Sequence, residues 1–294
     1  MQKGEVMAFA SVSIAGETRV AFVDQPSARL LLTDWSDMVE LIKHYQPALS
    51  QNYLEQLSHQ PELTLDLNET TLLAPLPRPV RNLICLGKNY QAHIEELSGR
   101  LFTDQLPQYP IYFTKPDHTV IGPNAAILMH KEYTKKLDYE VELAVVIGQP
   151  GVDIPAERAL EHIFGYTICN DISARDLQQN HTQWFKGKSL TTHCPMGPWI
   201  VPAEELEFPP ARPIRCYVNG ELRQDSNTVD LIFDIPTIIQ DLSRGFPLRA
   251  GDVILTGTPA GVGLGFKPPR FLREGDEVVC EIEGIGRLVN HLSI

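Results

Sequence analysis

No run of about 18 apolar residues occurs in the 294-residue sequence, and its opening, M-Q-K-G-E-V, has no apolar stretch of the kind a secretory leader carries. A membrane span and export are therefore not expected, and the sequence reads as a soluble, cytoplasmic protein. Blocks of lysine and arginine are also missing: 37 acidic residues stand against 25 basic ones, a net charge of −12. Nucleic acids and anionic membranes are polyanions, so no nucleic-acid partner and no membrane partner is expected. The five cysteines, Cys85, Cys169, Cys194, Cys216 and Cys280, are odd in number and never stand in a C-x-x-C spacing. That argues against a disulfide frame or a zinc ribbon and for reduced, buried thiols. Internal repeats and low-complexity tracts are absent.

What is present is ordinary globular material, 43% hydrophobic and 21% charged, in a chain long enough for one large domain with a smaller companion. Met7 to Ile14 and Thr18 to Asp24 alternate about an A-G-E turn and read as a hairpin. Asp34 with Asp37 resembles a capping box opening a helix through about Tyr45, which Pro47 stops; a second helix is expected near Asn52 to Ser58. In the following L-L-A-P-L-P-R-P-V, Pro75, Pro77 and Pro79 stiffen the chain. The expected organisation is a small α/β domain over residues 1–74, a linker over 75–80 and a second domain over 81–294, in an α+β protein that is predominantly β.

The second domain is organised around Leu137 to Gly148, L-D-Y-E-V-E-L-A-V-V-I-G, whose alternation predicts one strand. Tyr139, Val141, Leu143, Val145 and Ile147 share an apolar face. Glu140 and Glu142 share the other, roughly 6 to 7 Å apart, close enough to converge on one hard cation. Gly165 to Asn170 reads as a buried strand ending at Asp171, which brings a third carboxylate to a strand end. A helix from about Tyr90 to Ser98 carries His93 and Glu96 on one face, where the carboxylate can fix the imidazole tautomer and raise its basicity. The polar, proline-punctuated stretch from Arg100 to Pro110 reads as a loop able to cover a site.

Ser173 to Asp176 fits the S-x-x-D capping pattern, with Arg175 and Gln178 on one face of the helix it opens. Arg175 is either a clamp for a substrate carboxylate or one half of a surface ion pair with Asp176 or a nearby acid. Lys186 and Lys188 lie in what reads as a loop from Trp184 to Gly197. Asn219-Gly220 predicts a hairpin, and Asp234 with Pro236 opens a helix that Gly245 closes. In T-G-T-P-A-G-V-G the glycines, Gly257 among them, let backbone N–H groups approach a ligand oxygen. No G-K-[ST] follows, so this is not a nucleotide-binding P-loop.

Six motifs stand in order: G-K-N-Y-x-x-H-x-x-E (Gly87 to Glu96), D-Y-E-V-E-L-A-V-V-I-G (Asp138 to Gly148), G-Y-T-x-x-N-D-x-S-A-R-D-x-Q (Gly165 to Gln178), K-S (Lys188-Ser189), C-P-M-G-P (Cys194 to Pro198) and T-G-T-P-x-G-V-G (Thr256 to Gly263). From about Arg81 onward the chain resembles the fumarylacetoacetate hydrolase family. The resemblance implies a mixed β-roll catalytic domain that forms a homodimer, with residues 1–74 as an accessory domain. It also implies a divalent metal on Glu140, Glu142 and Asp171, a general-base dyad of His93 and Glu96 on a segment that orders over substrate, and Arg175, Gln178, Lys188 and Thr258 around the ligand. Where many members carry Asp after the K-S pair this chain has Thr191 and Thr192, which leaves the substrate open.

The chemistry of these residues agrees. Three carboxylates around one point repel unless a dication neutralises them, and an all-oxygen set favours Mg²⁺ or Mn²⁺ over Zn²⁺, with Ca²⁺ able to replace them in crystals. Such a cation is an electron sink for an enolate formed from a 2-oxo acid. The expected reaction is hydrolytic C–C cleavage of an acylpyruvate or fumarylpyruvate type of substrate: Glu96 orients His93, His93 activates water, and Lys188 stabilises or protonates the enolate. The same sink would serve an oxaloacetate-type decarboxylase or a 2-hydroxyhepta-2,4-diene-1,7-dioate isomerase. A non-catalytic dimer that binds 2-oxo acids is the reading from a different class, and retention of the whole polar set speaks against it.

Overall fold

Three neighbouring strands form the centre. Val141–Ile147 pairs antiparallel with Ile163–Asn170 on one side and with Val253–Leu255 on the other. Every residue of these strands is buried, which is why they read as near-continuous apolar runs. The odd residues from Val141 to Ile147 belong to one core, and Ala144 and Val146 to a second core on the opposite face.

Beyond Val253–Leu255 the sheet continues through Leu83–Gly87 to Ile111–Lys115 at the edge. In the other direction Ile163–Asn170 pairs with Cys194–Pro202, and that strand pairs at Ile200 with Phe9 of Met7–Ile14. Glu17–Asp24 and Arg29–Leu32 follow, so one 12-stranded sheet holds residues from both sides of the proline-rich stretch. A second, five-stranded sheet runs Glu221–Asn227, Pro213–Val218, Glu277–Ile282, Gly286–Ser293, Ala126–Leu128. Its Ile214, Cys216 and Ile282 share a core with Val141 and Ile168. The fold is α+β and mainly β, with parallel and antiparallel pairs in both sheets. The computed structural model describes residues 7–57, 63–101 and 105–294, so the expected helix end at Ser58 and part of the 100–110 loop lie outside the described residues.

Several local expectations change. The central stretch is not one strand: Leu137–Asp138 pairs with Ser173–Ala174, and the ladder resumes only at Val141. The Asn170 side chain causes the break by accepting the Glu140 N–H (3.0 Å), while the Asp171 N–H donates to the Glu140 carbonyl (2.8 Å). The first helix is Met38–His44, capped by Asp37, whose carboxylate accepts the Val39 and Glu40 N–H groups; Asp34 takes no part in that cap. Pro47 opens the next helix, Pro47–Leu57, instead of ending the first, because a first-turn residue has no intrahelical N–H bond to lose. The stretch from Trp184 holds a short helix, Phe185–Lys188, and the strand Cys194–Pro202.

Other expectations hold. Asn219 and Gly220 take φ 51° and 77°, the backbone of a tight hairpin turn. The Asp234 carboxylate caps Ile235–Ser243 through the Thr237 N–H. All five cysteines are buried and free. No helix among the described residues is long and apolar enough to cross a membrane.

Candidate metal and acid–base site

The strand break at Tyr139 and Glu140 builds the site. Glu140 lies in the break, Glu142 one residue into the resumed strand, and Asp171 immediately after Ile163–Asn170. Oxygens from the three carboxylates lie within 4.8 Å of one another, and all three residues are buried.

Three buried cations face them. Lys188 Nζ bridges Glu140 Oε2 and Asp171 Oδ2 at 2.6 Å each. Lys115 Nζ lies 2.7 Å from Asp171 Oδ1 and donates to the carbonyls of Ile172 (3.2 Å) and Lys188 (2.6 Å). Arg175 places Nη1 2.6 Å from Glu140 Oε1 and Nε 2.8 Å from Asp138 Oδ2. Glu142 differs: its Oε2 accepts the Gly257 N–H at 2.7 Å, and no ammonium or guanidinium bonds it among the described residues.

The acidities follow this geometry. Burial raises the Glu142 pKa well above the carboxylate range, and the charges of Asp171 and Glu140 push it further. Burial acts the same way on Glu140, but Lys188 and Arg175 outweigh it and hold that carboxyl below the usual range. For Lys188 burial favours the neutral amine, yet Asp171 and Glu140 prevail and the pKa rises. The set fits a hard divalent cation. All donors are oxygens, an ammonium already bridges two of them, and Glu142 is the acid that further positive charge would ionise.

His93 and Glu96 are carried by Gln91–Glu96, with His93 Nδ1 3.6 Å from Glu96 Oε2. The other carboxylate oxygen, Oε1, accepts the Gly261 N–H at 2.9 Å, so the glycine loop holds Glu96 in place. Gly265 closes this contact: a Cβ there would lie 2.0 Å from Glu96 Oε1. His93, Gln178, Lys188 and Thr258 line the same cavity as Glu140 and Glu142. Its water-accessible volume is ≈ 20 Å³, about one water molecule, so a ligand enters only if the walls move.

Two expectations about Arg175 change. The N-cap of its helix is Ala174, and the Ser173 hydroxyl donates to the Asp171 carbonyl instead. Asp176 is no partner of Arg175, because it accepts from Thr134 Oγ1 and the Lys135 N–H. Arg175 is fully buried, shared by Asp138, Glu140 and Gln178, with Nη2 unpartnered among the described residues. Three further residues were given no site role by the sequence. Lys115 was signalled by a lone charge ending the apolar Ile111–Thr114 run. Asp138 joins Arg175 to the N–H groups of Gly263 and Leu264. Gln224 accepts the Val141 N–H and donates to Thr258 Oγ1, tying the glycine loop to the central strand.

Residues 82–293 match the family described as fumarylacetoacetate (FAA) hydrolase C-terminal. The chain belongs to the fumarylacetoacetate hydrolase family. The oxaloacetate tautomerase YisK of Bacillus subtilis is 50% identical over 226 residues, 77% of this chain and 74% of that protein. The fumarylacetoacetate hydrolase of the psychrophile Exiguobacterium antarcticum superposes with a TM-score of 0.81 at 38% identity, covering 98% of this chain and 99% of that one. A 2-hydroxyhepta-2,4-diene-1,7-dioate isomerase from Mycobacterium marinum gives 0.76 at 31% identity, covering 97% and 98%. Hydrolase, isomerase and tautomerase names thus occur among the relatives, so membership of the fumarylacetoacetate hydrolase family alone does not select a reaction.

Proposed function

We propose that this chain is a divalent-cation-dependent enzyme that interconverts the keto and enol forms of a small 2-oxo dicarboxylic acid of the oxaloacetate type. The observation that carries this reading is the buried cluster of Glu140, Glu142 and Asp171 with the Lys188 ammonium across it. The 50% identity to an oxaloacetate tautomerase supports the substrate class. Mg²⁺ or Mn²⁺ on the three carboxylates would supply Lewis acidity toward the 2-oxo acid. Arg175, Gln178 and Thr258 orient the substrate carboxylates. His93, oriented by Glu96, takes the proton from the carbon beside the keto group, and Lys188 steadies the negative oxygen until it is protonated. This reading assigns catalysis to residues 81–294, an accessory role to residues 1–74, and a homodimer as the working form.

C–C hydrolysis of acylpyruvates is the second reading. It is favoured by the His93–Glu96 pair, which is what activation of water requires. A product-resolved assay with Mg²⁺ decides between them, following the ultraviolet absorbance of enol oxaloacetate and, separately, acid release from acylpyruvates. Tautomerisation without acylpyruvate cleavage is expected. His93→Ala should slow tautomerisation by about 10² to 10⁴-fold, and Glu140→Ala should abolish it. Cleavage of acylpyruvates with no effect on oxaloacetate would instead establish the hydrolase.

A further inference from the structure

A cleft with a water-accessible volume of ≈ 680 Å³ opens between the Met38–His44 helix and the far ends of the central strands, and it shares no residue with the carboxylate site. Its floor is apolar and deep: Ile42, Ile163, Phe164 and Ala250 are at most 8% exposed. Its rim is polar. There Lys43 is paired with Glu40, and Glu161 with Arg158. Arg249 also lines the rim, and its guanidinium has no hydrogen bond or ion pair among the described residues. The cleft therefore presents one uncompensated positive charge above a buried apolar surface, in the size range of small-molecule sites.

The cleft floor and the carboxylate site are opposite ends of the same three strands. Val141–Ile147 carries Glu142 near one end and runs into Gly148 in the cleft. Ile163–Asn170 begins in the cleft and delivers Asp171. Val253–Leu255 follows Ala250 and leads to Gly257, whose N–H is bonded to Glu142. The strands are adjacent and hydrogen-bonded to one another. Six residues at about 3.3 Å each put the two ends roughly 20 Å apart.

We propose that this cleft binds an amphipathic monocarboxylate, with the carboxylate on Arg249 and an aromatic or medium-chain acyl body on the Ile42–Phe164–Ala250 floor, and that its occupancy is coupled to the carboxylate site. A single unpaired guanidinium suits a monoanion, which it can hold in a bidentate pair. A dianion would face Glu161 without a second free cation. A ligand spanning the helix and the strand ends fixes their relative position. Strands packed on both faces pass such a shift along their length more readily than they absorb it. The proposal is independent of the tautomerase reading, since neither the site nor its test involves turnover.

Calorimetry with the full chain and two probes, indole-3-acetate and decanoate, tests the site and separates the aromatic from the acyl body. One probe at least should bind with one-to-one stoichiometry. Its neutral analogue, indole-3-acetamide or decanol, and the Arg249→Gln variant should each weaken binding about tenfold, the worth of one charge-assisted bond. Ala250→Trp, which fills the cleft, should abolish binding while thermal melting shows the fold retained. Hydrogen exchange reads the coupling: probe binding should slow exchange at Gly257 as well as at Gly148 and Gln149. Absence of binding by both probes, or binding that survives Ala250→Trp, overturns the site. Protection confined to the cleft with Gly257 unchanged overturns the coupling.

Discussion

Lys115→Met isolates the charge balance of the carboxylate site. Lys115 ends an edge strand yet has no exposed surface, and its ammonium serves Asp171 and two backbone carbonyls. Methionine keeps most of the aliphatic stem and removes the charge and the donors. Breaking one side of a buried ion pair costs about 3 to 5 kcal/mol, and each of the two orphaned buried carbonyls adds roughly 1 kcal/mol. Without divalent cation the variant should thus lose on the order of 5 to 7 kcal/mol, a large share of the 5 to 15 kcal/mol typical of a folded protein. Added Mg²⁺ should return part of that loss, because excess negative charge is what Lys115 offsets. Urea denaturation followed by tryptophan fluorescence, with EDTA or with Mg²⁺, gives both quantities. If the EDTA-treated variant unfolds at the wild-type urea concentration, the electrostatic argument is wrong. If Mg²⁺ stabilises variant and wild type equally, Lys115 acts through packing and not through charge.

Glu142→Gln keeps an acceptor for the Gly257 N–H and removes a carboxyl already driven toward its neutral form, so cation-free stability should hold while Mg²⁺ affinity falls at least tenfold by calorimetry. His193 gives a pH signature. Burial, with Lys115 and His130 adding to it, holds its imidazole down at about 3, against 6.5 for a free one. Between those values the unfolded chain binds a proton that the folded chain refuses, so stability is lost as pH falls below about 6.5, by up to about 1.4 kcal/mol per unit. His193→Gln, which can still donate to the Leu128 carbonyl, should flatten denaturation midpoints between pH 6.5 and 5; an unchanged slope would clear His193 of the effect. Gly265→Ala must displace the Glu96 carboxylate, so kcat should fall at least tenfold with the melting temperature nearly unchanged, and wild-type turnover would deny Glu96 its orienting role.

Sequence periodicity located most strands and all three clustered carboxylates, because burial on both faces leaves an apolar signature and carboxylates inside it stand out. It did not show the break at Tyr139 and Glu140. That break depends on one side chain, Asn170, replacing a ladder bond from 30 positions away, and alternation carries no trace of such a partner. The same limit explains Arg175. Its neighbours in sequence suggested Asp176, whereas its partners are Asp138 and Glu140, brought in by pairing between Leu137–Asp138 and Ser173–Ala174. Pro47 misled for a different reason: proline ends one helix and begins another by the same loss of an N–H, and only the chain direction tells them apart.

The pairing of Phe9 with Ile200 has a practical consequence for anyone who trims this protein. A chain begun at Arg81 would keep the whole carboxylate site, and Val120–Ile121 would still pair with Cys194–Pro202 at Cys194 and Pro195, but the backbone around Ile200 would lose its partner and stand bare on an apolar strand. It would also uncover Phe164, on which the ring of Phe9 rests at 6.4 Å between centroids. Bare, flat, apolar edges recruit further strands from other molecules. Such a fragment should therefore precipitate at concentrations where the full chain stays dispersed, even though none of the residues around its carboxylates has been touched.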